Sequence, residues 1–318
     1  MNLNSVSNKE LYKTVCEQYT GIPVFLQYWW MDAVCKDWDV AIVHNGDKVS
    51  GIWPYAIEHK GGASIRRSPF LTPYSGPHIF FPHDLKESKR DNFEHETINA
   101  LLADMPEAKV WHICLQPGIK QAGLLKDKGF DLQVKQTFLM GLHHGTETVF
   151  ARLNEDYRRN IRKADTELSI ADEPQMLHKL YDFQKATLGS KDLQVYYSME
   201  QMQKLFDACK EHGCTALWTA RKDDTVQAIL WQVWDDERAY YLAGAKNPAE
   251  NDKRAMTALL WHAMKEAMHK GKKIFDFEGS MDPGVEKFFR NFGAERELYL
   301  IIRKNDSLLW KLKEKLGG

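Results

Sequence analysis

At 318 residues, 43% hydrophobic and 12% aromatic, the chain has about twice the usual length of one domain and ample apolar side chains for packed cores. That composition excludes a largely disordered protein. The 43 basic and 44 acidic residues nearly cancel, which excludes a global field drawing nucleic acid or an anionic membrane; such contacts must come from a local patch.

The first residues carry no basic stretch followed by an apolar one, and no apolar run approaches the roughly 20 residues that span a bilayer. Five scattered cysteines (Cys16, Cys35, Cys114, Cys209, Cys214) read as reduced thiols. The expectation is a cytoplasmic protein without an integral membrane segment. Cys209 and Cys214 lack a second pair at zinc spacing, and His78, His83, His143 and His144 form no helical ligand pair, so no metal site is expected.

In chain order, residues 8–20 and 24–36 read as helices, the second with Phe25, Trp29 and Ala33 recurring every fourth position. A hairpin follows, 40–44 and 48–57 around Asn45-Gly46-Asp47. Residues 68–82, with four prolines, read as loop. Helix 87–104, strand 109–115, helix 119–128 and strand 130–142 complete the first half. The second half opens on a long basic helix, 146–166, and helices 174–188 and 199–212. Strands 215–220, 226–234 and 238–245 precede an amphipathic helix, 253–270, with Ala255, Leu259, Leu260, Ala263, Met264 and Ala267 as its stripe. Strand 273–278, helix 283–291, strand 295–303 and a C-terminal helix ending at Lys315 close the chain.

The two strand–helix–strand endings superimpose as sequences. Pro117-Gly118 and Pro283-Gly284 stand where a helix starts, and Gly129 and Gly293 where it ends, as capping chemistry favours. The reading is an α/β protein of two related halves, 1–145 and 146–318; the plainer reading is that such units recur without shared ancestry.

Three segments carry candidate chemistry. On a strand, Asp276 and Glu278 share one face about 7 Å apart, near enough to raise one pKa when desolvated; a raised Glu suits a base for an amine nucleophile. Ser280 donates a hydrogen bond or, more plainly, caps the next helix. On the basic helix, Tyr157, Ile161 and Ala164 face inward, while Arg158 with Arg162 and Arg159 with Lys163 stack at i,i+4. Such stacked cations call for an anion such as a phosphate, or are a solvated face salted by its acidic neighbours. The rigid turn Leu71–Pro77 offers the hydroxyls of Tyr74 and Ser75 to a pocket, or is only a crossover. Trp29-Trp30 reads as helix packing first and substrate platform second, and one of Tyr240 and Tyr241 as core. No Gly-rich dinucleotide or P-loop motif and no Gly-x-Ser-x-Gly elbow is present.

In order, a Trp-containing early helix, "GIWP", "LTPYSGP", "YRRNIRKA" and "FDFEGSMDPGVEKFFRNFGAE" together resemble the tandem GNAT-fold proteins related to the Fem aminoacyltransferases and the CelD-like acetyltransferase group, over nearly the whole chain. The resemblance implies two tandem GNAT (acyl-CoA N-acyltransferase-like) domains, mixed sheets flanked by helices, and transfer of an acyl or aminoacyl group to an amine. In the Fem branch the donor is aminoacyl-tRNA and the acceptor a peptidoglycan precursor; other branches use acyl-CoA. It implies donor-phosphate contacts at Arg158, Arg159, Arg162 and Lys163, with Arg254 joining them, and a transfer channel bordered by Glu278 and Ser280, with Asp276 beside them. Substrate contacts are expected at Trp30, Tyr74, Ser75, Tyr241, Lys287 and Arg290. The stretch Gly244–Arg254, where a typical GNAT enzyme carries a Gly-rich CoA loop, has no glycine after 244, which leaves the donor open.

The expected function is therefore N-acyl or aminoacyl transfer to an amine of a small molecule or cell-envelope precursor. No cofactor is expected to be tightly bound, acyl-CoA or aminoacyl-tRNA is the co-substrate, tRNA is a possible partner and DNA is not. The alternative is a catalytically silent GNAT-fold module that binds an anionic ligand or a protein.

Overall fold

The computed structural model describes residues 8–252, 254–279 and 281–307. The expected C-terminal helix, and Ser280 among the site residues, lie outside them.

Helix α1 (Asn8–Gln18) is followed by a 3₁₀ turn (Val24–Leu26) and α2 (Tyr28–Val34). The single helix expected over 24–36 is broken because Gln27 is extended (ψ 143°). Strands β1 (Trp38–Asn45) and β2 (Lys48–Ala56) pair antiparallel, with Gly46 supplying the positive φ (62°) that their tight turn needs. Strands β3 (Glu58–Lys60) and β4 (Ala63–Arg67) form a hairpin unanticipated in the sequence. Its signal was Gly61-Gly62, both at positive φ, as a two-residue primed turn requires. Next come β5 (His78–Ile79), α3 (Glu87–Asp104), β6 (Val110–Cys114), α4 (Ala122–Asp127) and β7 (Asp131–Gly141). Helix α4 begins at Ala122 rather than at 119, since Gly118 sits in a turn at φ 104°.

Beyond β7, the expected long helix 146–166 is two helices, α5 (Thr146–Arg152) and α6 (Glu155–Glu167). Leu153 leaves the helical region (ψ 144°) to bury its side chain, and Asn154 caps α6 by accepting from Asp156 N–H at 2.8 Å and Tyr157 N–H at 3.3 Å. Asn154→Ala is expected to cost about 1 kcal/mol, read as a lower denaturant midpoint at unchanged slope; an unshifted midpoint would show that water replaces the cap. Strand β8 (Ser169–Asp172), α7 (Leu177–Gly189) and α8 (Met199–Glu211) follow. The chain then runs through β9 (Thr215–Lys222), β10 (Thr225–Trp234), β11 (Arg238–Lys246), α9 (Ala255–His269), β12 (Ile274–Asp276), α10 (Pro283–Arg290) and β13 (Glu295–Asn305).

The chain divides into two compact units, Met1–Lys135 with Leu298–Gly318, and Gln136–Glu297. The division falls inside β7 and inside β13, whereas the boundary read from the sequence at 145/146 concerns duplicated halves and stays a proposal. In the first unit β1, β2 and β5 form one small sheet. In addition β4 pairs with β3 and, parallel, with β6, which is antiparallel to residues 301–305 of β13. Helix α3 lies so close on β2 that a methyl group at Gly51 would meet Thr97 Cγ2 at 2.5 Å.

In the second unit the strand order is β7, β12, β11, β10, β9, β8. Among the described residues of this unit only the β11–β12 pair is parallel, and α9 makes the crossover that parallel pairing demands. The predicted stripe of α9 is buried, and so are Met256 and Trp261; Ile161 and Ala164 of α6 are buried as their spacing predicts.

Candidate active site

Strands β11 and β12 pair at only three positions, Arg238↔Ile274, Ala239↔Phe275 and Tyr240↔Asp276. Past these, β11 continues to Lys246 while β12 stops. The strand expected to reach 278 ends at Asp276. Phe277 still donates its N–H to Phe138 O at 3.0 Å, then Glu278 and Gly279 turn left-handed at φ 55° and 52°. A left-handed non-glycine residue costs about 1–2 kcal/mol, and such strain concentrates at functional sites.

Asp276 is fully buried, and its Oδ1 accepts from Thr137 Oγ1 at 2.6 Å and from Glu278 N–H at 2.8 Å. It thus holds the backbone that carries Glu278, and strict strand alternation does not extend to that residue. Glu278 is half-buried as a residue, but its Oε1 is enclosed and has no hydrogen-bond partner among the described residues. Burial first, and the Asp276 charge second, push its carboxyl well above the ordinary carboxylate range.

One of the tyrosine pair is core, as expected. Tyr240 is buried, its hydroxyl donating to Asp235 Oδ2 at 2.7 Å. Tyr241 stands at the parting of the strands, its hydroxyl pushed up by burial and then by the Glu278 charge. Its ring meets Phe289 edge-on at 6.0 Å and lies across Gly244, where any Cβ would collide with the ring and hydroxyl. Thr137 and Gly244 were missed from the sequence. Thr137 has no local signal, whereas the lone glycine inside a predicted strand marked a close approach.

The basic residues of α6 are on the surface, partly engaged. Arg158 Nη1 donates to Ala151 O at 2.8 Å, Arg159 pairs with Asp156 at 2.5 Å, and Arg162 lies over the Phe150 ring at 5.6 Å; Lys163 is exposed. Arg254 binds Asp252 through two hydrogen bonds, at 3.0 and 2.7 Å, and Glu167 at 2.7 Å. These carboxylates hold its pKa above the ordinary guanidinium value, so its charge is already matched. Lys287 and Arg290 are exposed on α10, Arg290 3.8 Å from Glu286.

Trp30, Tyr74 and Ser75, expected as substrate contacts, belong to the first unit and are buried there. Trp30 is 0% exposed and donates Nε1–H to Thr72 Oγ1 at 3.0 Å. Tyr74 is wedged between Phe25 and Tyr299, and Ser75 bonds Ser68 at 2.7 Å and donates N–H to Cys114 O at 2.7 Å. Among the described residues no group of three or more His, Cys, Asp and Glu could hold a metal ion, and no helix is long and apolar enough to cross a membrane.

Residues 151–290 match the Acetyltransf_6 family, described as an acetyltransferase (GNAT) domain. No curated protein matches the chain. Among solved structures, FemX is similar at TM-score 0.68 and 13% identity over 98% of this chain and 99% of that one. A tandem GNAT protein from the clavulanic acid biosynthesis pathway is similar at 0.55 and 9%, over 94% of each chain. L-PGS from Bacillus licheniformis is similar at 0.52 and 11%, over 98% of this chain and 97% of that one. At these identities the structural likenesses speak for the fold, while the family match covers the segment that holds Asp276, Glu278 and Tyr241. The protein is an acyltransferase that shares the tandem GNAT fold, and its residues 151–290 match an acetyltransferase (GNAT) domain.

Proposed function

We propose that the second unit transfers an acyl group from an activated donor to an amine, with Glu278 as the base that takes the amine proton. The enclosed Glu278 carboxyl, whose Oε1 has no partner among the described residues and which is raised above its ordinary range at the parting of β11 and β12, carries this reading. An ammonium must lose its proton before nitrogen attacks, and a base lifted toward neutrality accepts that proton best. The amine nitrogen bonds to the acyl carbon, and the bond from that carbon to the donor heteroatom breaks. The ammonium proton passes to Glu278; the departing heteroatom takes a proton from Tyr241, which burial keeps protonated, and the second proton, shed by the nitrogen as the amide forms, restores Tyr241.

GNAT domains take acyl-CoA as co-substrate. The loop before α9 is no cradle of free amides: Ala249 and Glu250 donate their N–H groups to Asn247, and Arg254 donates its own to Asp252. Helix α9 itself starts without a side-chain cap or an acid in its first turn, a start that suits an anion. The donor is proposed as acyl-CoA or aminoacyl-tRNA, and the acceptor as an amine of a small molecule or cell-envelope precursor. The helix α6 cations are proposed for the donor, with Arg254 held beside them by Asp252 and Glu167, and Tyr241, Lys287 and Arg290 for the acceptor.

Incubation with a series of acyl-CoAs and amines, following thiol release and product mass, is expected to show amine-dependent release. Release absent from acyl-CoA but transfer from aminoacyl-tRNA would reassign the donor; failure of both would leave a ligand-binding module. Arg158→Glu with Arg162→Glu is expected to raise KM for the donor at least about tenfold at unchanged Tm. An unchanged KM would remove α6 from the donor site.

A further inference from the structure

The first unit has a charged groove of its own that the acyl-transfer reading does not use. Strand register sets Arg67, His112 and Arg303 side by side on β4, β6 and β13 (Arg67↔His112, His112↔Arg303). Neighbouring strands lie about 4.8 Å apart, so the two arginines flank the imidazole with about 10 Å between their backbones. All three are exposed. They line a groove of about 440 Å³ whose apolar floor includes Ile65, Val110 and Trp111, a volume suited to a small ligand.

Charge around the groove is unbalanced. Lys60 and Lys304 line it with the two arginines, against Glu58 and Asp131. Lys135 on β7 adds its field at His112. Glu58 takes up part of Arg67 at 2.8 Å, and Asp306 lies 3.4 Å from Lys304. Like charges placed directly across strands repel, and an anion seated over the central imidazole would relieve that repulsion. Two guanidinium forks on either side of one hydrogen-bonding ring match the oxygens of a phosphate or diphosphate better than a single carboxylate, which one fork satisfies.

We propose that the groove over Arg67, His112 and Arg303 binds the phosphate or diphosphate group of a ligand. His112 reports on its occupation. Partial burial of the ring first, then Arg303, Lys135 and Arg67, pull the imidazole below its ordinary pKa. A bound anion opposes those three cations and favours imidazolium, so binding takes up a proton and strengthens as pH falls through the pKa of the bound state.

The test uses the full chain at low ionic strength, with inorganic pyrophosphate followed by calorimetry and by the His112 ring signal in NMR. Binding is expected to raise the His112 pKa by about one unit. Arg303→Gln should weaken binding about ten- to a hundredfold, whereas Lys89→Gln, exposed on α3 and outside the groove's lining, should not. His112→Gln should remove the proton uptake attributable to the protein while the fold, checked by Tm, persists. A parallel arm uses vesicles of phosphatidylglycerol with phosphatidylcholine, against phosphatidylcholine alone. Binding of pyrophosphate without vesicles assigns a soluble phosphate ester; vesicle binding lost in Arg303→Gln assigns a lipid headgroup. Binding to neither probe, or binding unaltered by Arg303→Gln with an unmoved His112 pKa, overturns the proposal.

Discussion

Glu278→Gln is expected to lower acyl transfer about 10²- to 10⁴-fold, the usual contribution of a positioned base, and to make the protein more stable at neutral pH. The two effects share one cause. Burial and the Asp276 charge raise the Glu278 pKa in the folded chain, so between the unfolded and folded values the folded state binds more protons. Stability therefore falls as pH rises through that window and stays reduced above it. Glutamine keeps the shape without the charge and removes the penalty. In the wild type, the rate should fall with pH below the raised pKa; in the variant that acid limb should disappear. Urea melts at pH 5 and pH 8 with parallel rate profiles separate the possibilities. A variant that stays active with its acid limb intact moves the base elsewhere, and a less stable one makes the carboxyl a structural element.

Gly279→Ala is expected to abolish transfer and to destabilise the second unit by about 3 kcal/mol, combining left-handed strain with overpacking. The φ of 52° is one reason; the other is that a methyl group would run into the Gln136 carbonyl oxygen and come within 2.6 Å of Thr137 Cα. The backbone of β7 cannot yield there without dragging Thr137 from Asp276. Gly46→Ala is the matched control. Its φ is 62° with nothing within 4 Å, so only the strain of about 1 kcal/mol applies. Equal midpoint shifts at 279 and 46 would refute the steric part of the account.

Both effects arise from contacts that no local pattern announces. Thr137 and Asp276 are 139 residues apart, and nothing near Thr137 in the sequence distinguishes it from any strand threonine. Arg254 illustrates the opposite limit. As a cation near a predicted helix start it reads as a phosphate contact, yet Asp252 and Glu167 already match its charge. Trp30 and Ser75 show the same limit for loops and helix ends, because rigid polar turns and indole groups look alike whether they line a pocket or close a core.

Though it showed neither the break at Leu153 nor strand β8, the sequence by itself determined the succession of strands β9, β10 and β11 and helix α9, the hairpin at Gly46, and the buried stripe of α9. Each follows from turn chemistry or from a period of two or 3.6 residues, which act within a few positions of the chain. It also offered Glu278 and Tyr241 as candidates and expected one of Tyr240 and Tyr241 to be core, which the buried Tyr240 is. Only the tertiary structure decided where β12 ends, that Asp276 holds the Glu278 backbone, which cations are already paired, and that Arg67, His112 and Arg303 stand in one row. Those outcomes depend on which distant segment supplies a carbonyl, a hydroxyl or a countercharge, and strand register, not local spacing, brings such segments together.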